Sequence, residues 1–148
     1  MGELNMSVKR FLLTLALCLS VVTPAHALPP FRKPLDQRYA ETDRELLGEF
    51  RRANCNLCHV KDKEKRFVND YGKLLADLIP GNVEDRLAAA AAIGTEARAA
   101  EYALVMHELS EAIKKADALP GPTAITYGES FRAHKLPTES ESHPLHDE

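Results

Sequence analysis

The sequence predicts an all-α protein, and three features predict it. Apolar residues recur at spacings of three and four in several separate stretches, the signature of helices with one buried face. Proline and glycine fall at the joints between those stretches. No stretch alternates convincingly between apolar and polar residues; Ala124-Ile125-Thr126-Tyr127 is the one short β-like run. A chain of 148 residues with 45% hydrophobic and 28% charged side chains suits one small folded domain. Its formal charge of −3 lacks the excess of cations that phosphate binding needs, so nucleic acid is not an expected partner.

The elements follow in chain order. Lys9 and Arg10 precede an apolar run from Phe11 to Val22, and Pro24 leads to Ala25-His26-Ala27. A charged start, a short apolar run and a small-x-small site make a secretory signal peptide, expected over residues 1–27 with cleavage after Ala27. The run is too short for a bilayer span, which needs about 20 apolar residues, so no stable membrane span is expected after cleavage. Losing Lys9, Arg10 and Glu3 moves the formal charge from −3 to −4 and leaves Cys55, Cys58 and Met106 as the sole sulfur-bearing side chains.

Residues 28–41, with Pro29, Pro30 and Pro34, read as an extended arm. Thr42-Asp43-Arg44-Glu45 matches a capping box, with Thr42 as the cap and Glu45 reaching back. The helix it opens carries Leu46, Leu47, Phe50 and Ala53 and runs into Cys55. Lys61 to Arg66 is a charged connection. Val68, Tyr71, Leu74, Leu75, Leu78 and Ile79 predict a second helix that Pro80-Gly81 stops. Asn82 caps an alanine-rich third helix ending near Gly94, and a long fourth runs from about Glu96 to Ala118. Tyr127-Gly128 before Phe131 and Pro137 faintly echoes Tyr71-Gly72 before Leu75 and Pro80, read as coincidence or a reused capping turn. The domain spans residues 42–135, and residues 136–148 read as a mobile polar tail.

The chemistry lies in Cys55-Asn56-Leu57-Cys58-His59. C-x-x-C-H is the attachment sequence of a c-type haem. Two intervening residues place both thiols where they can add to the porphyrin's vinyl groups, and the histidine beside the second thiol is held under the iron. Attachment of this kind follows export, so the signal peptide points the same way independently. Other readings compete. A dithiol redox motif would want a strand before it and a βαβ context, which the chain does not supply. A zinc site would have to face adjacent Cys58 and His59 to one tetrahedral ion, with no evident fourth ligand. A plain disulfide would not need His59.

On these residues the chain resembles the c-type cytochromes. The resemblance implies one covalent haem c, with Cys55 and Cys58 as thioether positions and His59 as proximal ligand. It implies an electron carrier or redox subunit in the periplasm, built as a bundle of about four short helices around the haem. The Gly-Pro loop usual after the motif is replaced here by Lys61-Asp62-Lys63-Glu64-Lys65-Arg66. For the sixth iron position Met106 is favoured, because a thioether suits haem iron and Met106 shares a helical stripe with Tyr102, Val105, Leu109, Ile113 and Ala116. His134 and His107 are weaker candidates, and His143 and His146 weaker still. The alternative function is a haem enzyme or ligand sensor whose sixth position is open. Arg51, Arg52, Lys61, Lys63, Lys65 and Arg66 surround the motif and read either as solvated charge or as a docking collar for an acidic redox partner. No nucleophile triad, phosphate loop or paired-carboxylate site is present, so an enzyme is the less favoured class.

Overall fold

Six helices and one two-stranded ribbon make up the computed structural model, which describes residues 31–121, 124–138 and 143–145. The expected signal peptide and its cleavage site lie outside the described residues. Helix α1 is the short Lys33–Leu35, with Pro34 in its first turn, where its missing N–H costs no hydrogen bond. A π-helical turn over Asp36–Ala40 continues it. Leu35 and Ala40 are buried, so this stretch is helical and packed where an extended arm was expected. Its leucine and alanine outweigh the prolines because Pro34 falls where a helix tolerates it.

Helix α2 spans Arg44–Ala53. Its cap is Asp43, one residue beyond the expected Thr42: the Asp43 carboxylate accepts from the amides of Glu45 and Leu46, both at 3.0 Å. Helix α3 (Asp70–Leu78) is capped by Asn69, and α4 (Val83–Ile93) by Asn82, whose side chain accepts from Glu84 and Asp85. Gly94, at φ 151°, turns the chain directly into the 22-residue α5 (Thr95–Ala116). Helix α6 (Tyr127–Arg132) opens with a full capping box between Thr126 and Glu129. Val68, expected at the start of the second helix, lies instead in β1 (Phe67–Val68), paired antiparallel with β2 (His143–Pro144).

Helix α5 is the spine. Val105, Leu109, Ala112, Ile113 and Ala116 form its buried stripe, and α1, α3 and α4 pack along it. The rest of the core is aromatic. Phe131, fully buried, meets Tyr39 at 4.8 Å, Tyr71 at 5.1 Å and Phe50 at 5.6 Å between ring centroids, and Tyr71 meets Tyr127 at 4.9 Å. Short, mostly tilted and edge-on contacts of this kind add to burial energy. The six-residue α6 thus supplies the ring on which α2, α3 and the π-turn converge.

The paired Tyr-Gly sequences are not a reused capping turn: Gly72 is the third residue after its Asn69 cap and Gly128 the second after its Thr126 cap. Gly72 and Gly128 each sit in the first turn of a helix, and each lets that turn press on a carbonyl of another segment. A Cβ on Gly72 would lie 2.1 Å from the Cys58 oxygen, and one on Gly128 3.1 Å from the Asp117 oxygen. The expected mobile tail is also docked where it is described. Leu136 packs on the core, and the Leu145 amide donates to the Arg66 carbonyl at 2.8 Å.

Candidate functional site

Asn54 ends α2 with φ 47° and ψ −117°, a positive-φ conformation outside the left-handed helical basin. The reversal throws the chain into a single 3₁₀ turn, Asn54–Leu57, which carries the first half of the motif. Inside it the Cys55 carbonyl accepts from the amides of both Cys58 (3.2 Å) and His59 (2.9 Å), folding Cys55, Cys58 and His59 onto one turn. His59 then bridges antiparallel to Val68, and the Val60 amide donates to the Phe67 carbonyl at 3.2 Å.

The two thiols differ. Cys55 is exposed, whereas Cys58 is half-buried against the apolar core, and neither is in a disulfide. Burial pushes the Cys58 thiol up to about 12, with the charge of Cys55 adding to the shift. At neutral pH Cys58 is therefore a protonated thiol. Burial, and then the nearby Lys65 charge, hold the His59 imidazole below its ordinary pKa, against an opposing pull from the backbone of Lys65 and Phe67. Because neutral imidazole is the metal-ligating form, the site favours it at pH 7. His59 Nδ1 and the Tyr71 hydroxyl are buried with no hydrogen-bond partner among the described residues. Burial raises Tyr71 well above the ordinary phenol value, the charges of Cys58 and Tyr127 contributing next.

Sequence reading missed Asn69. It is 1% exposed, and its side chain is fully engaged. Nδ2, with two hydrogens to donate, lies within hydrogen-bond distance of three carbonyls, those of Asn56 (3.3 Å), Leu57 (3.2 Å) and Pro137 (2.8 Å), while Oδ1 accepts from the Gly72 amide at 2.9 Å. Its backbone amide donates to the Cys58 carbonyl at 3.0 Å. A signal was present: asparagine just before a helical stripe is an N-cap pattern, as it is at Asn82.

The other expected site residues are spread more widely. Met106 is half-buried on α5, outside the apolar cluster against which Cys58 packs. His107 is exposed. His134, at φ 58° just past α6, turns back onto α2, where Nε2 lies 2.9 Å from the Asp43 carboxylate and Nδ1 3.6 Å from Glu49. His143 pairs with Asp70 at 2.7 Å; His146 lies outside the described residues. Leu46, Phe50 and Leu109 are buried in the protein's own core, with Leu47, Leu74 and Leu78 at its margin. All six cations of the basic cluster are exposed, and Lys63 and Arg66 lie over the Phe67 ring at 5.3 and 5.0 Å. An open groove of about 570 Å³ runs beside the motif turn, lined in part by Arg52, Asn56, Lys61 and His134.

No family model, no curated protein and no solved structure matches the chain. The donor set itself fits a covalently held haem. One thiol is open to solvent and one lies at the core margin, and the imidazole between the motif turn and β1 is kept neutral with a buried ring nitrogen lacking a protein partner.

Proposed function

We propose that the protein is a monohaem c-type cytochrome that carries electrons outside the cytoplasm, after export by the amino-terminal signal. One observation carries the reading: Cys55, Cys58 and His59, adjacent in a C-x-x-C-H sequence, are drawn onto one turn by two amides sharing the Cys55 carbonyl. Haem bound there supplies one-electron chemistry at its iron. Cys55 and Cys58 would tether it, and His59 would hold the iron as neutral imidazole. The exposed cations from Arg51 to Arg66 favour encounter with an acidic redox partner. Met106 is assigned the sixth position.

The second reading, a haem enzyme or ligand sensor with an open sixth position, is favoured by the place of Met106 outside the cluster that Cys58 joins. The absorption spectrum of the exported, purified protein tests the main reading. Haem should stay on the polypeptide after denaturation, and the Cys55→Ala/Cys58→Ala double variant should lose it. Haem extractable into acid-acetone from the wild type overturns the reading. Met106→Ala decides between the two functions: opening of the ferrous protein to carbon monoxide supports the carrier, and a wild type that already binds carbon monoxide supports the enzyme or sensor.

A further inference from the structure

The carbonyl groups between the first thiol and the imidazole are all accounted for. The Cys55 carbonyl closes the motif turn on itself, and those of Asn56, Leu57 and Cys58 all receive donors from one residue, Asn69. Two of the three bonds come from its side chain, which is buried and also holds Pro137 of the carboxyl-terminal segment. Gly72, without a Cβ, lets the first turn of α3 approach the Cys58 carbonyl closely enough for this to happen. The backbone from Asn56 to Cys58, between the first thiol and the imidazole, is thus held from a single point.

We propose that Asn69 is a positioning residue: its carboxamide, beyond capping α3, fixes the relative placement of Cys55, Cys58 and His59. This deepens the haem reading and rests on it for the consequence at the iron, but the placement itself belongs to the polypeptide. The capping and clamping roles use different atoms. Oδ1 caps by accepting from Gly72, whereas Nδ2 clamps by donating to the carbonyls. Asn69→Ser keeps a hydroxyl oxygen for the cap and has no group that reaches all three carbonyls. Asn69→Asp keeps the acceptor and sets a carboxylate against the carbonyl oxygens, which repel it.

The test compares wild type, Asn69→Ser and Asn69→Asp as full-length exported proteins with matched circular dichroism. If haem is attached, the readouts are the reduction potential and the pH at which His59 leaves the iron in acid. Both variants should release His59 at a pH about one unit higher, the tenfold weakening expected for one lost hydrogen bond of ordinary strength. If no haem is attached, the haem reading fails by that fact alone, and the readout becomes alkylation of the free thiols. Cys58 should then react about tenfold faster in Asn69→Ser, with Cys55 unchanged. Variants that fold and show wild-type values for the applicable readouts overturn the proposal. Should Asn69→Asp fail to fold, Asn69→Ser decides alone; should both fail, exchange of the wild-type Asn69 side-chain amide protons decides, these being protected like the backbone amides of α3 if the clamp holds and exchanging freely if it does not.

Discussion

At the scale of single residues, the site depends on close backbone approach and on which protons are present. Gly72→Ala drives a Cβ to 2.1 Å from the Cys58 oxygen, so α3 or the motif turn must shift. We expect a loss of about 1–3 kcal/mol, the range for overpacking, measured by urea denaturation. Gly48→Ala is the control: its Cβ would meet only the Arg52 guanidinium at 3.6 Å, and alanine in place of a helical glycine should gain about 0.5–1 kcal/mol. His134 gives a pH signature. The hydrogen bond that His134 donates to the Asp43 carboxylate is the main cause that raises its pKa, with the charges of Asp43, Glu49 and Glu45 adding. A raised histidine stabilises the fold fully below its unfolded pKa of about 6.5, and the contribution is lost as pH rises through the higher folded value. Asp43, lowered by its bonds to Leu46 and His134, works in the opposite sense, its contribution fading as pH falls below the ordinary carboxylate range. Melting temperature should therefore decline from about pH 6 toward pH 8 in the wild type by more than in His134→Gln. Identical slopes would remove the ion pair from the account.

At the scale of elements, the joint between α4 and α5 is held by a fork that the sequence did not reveal. Arg86 donates to Glu101 and to Glu108, each at 2.7 Å, and to the Pro80 carbonyl at 2.6 Å. No local sequence pattern marks either glutamate, because their shared partner lies on another helix, across the Gly94 turn. Arg86→Ala should cost about 1–2 kcal/mol, discounted from the value of buried charged hydrogen bonds because all three side chains keep some exposure. Glu101→Gln or Glu108→Gln alone should cost less, since the remaining carboxylate still holds the guanidinium. Chemical denaturation of the three variants checks the order. The caps were more legible than the pairing. Asn82 and Gly94 bound α4 as their local chemistry dictates, while the cap of α2 moved from Thr42 to Asp43. The carboxylate there also meets His134, 91 positions further along the chain, a contact no local pattern contains.

At the scale of the whole molecule, α6 matters out of proportion to its length. Phe131 sits among Tyr39, Phe50 and Tyr71, so Phe131→Ala should remove about 3–5 kcal/mol and broaden the thermal transition. If that variant melts like the wild type, the aromatic core is not what joins α6 to the rest. The sequence by itself determined the helical class, the approximate bounds of α2 to α5 and the C-x-x-C-H motif, because these rest on interactions within a few residues: side-chain periodicity, caps, and proline and glycine at the ends. It also indicated that Val105, Leu109, Ile113 and Ala116 share a buried face. Only the tertiary structure decided what those local pieces meet. It placed Asn69 on the motif's carbonyls and β2 on β1. It packed residues 33–40 as helix and turn, and it turned His134 toward α2. In each case the deciding partner is distant in sequence, and a buried polar group takes whichever partner the fold brings within reach.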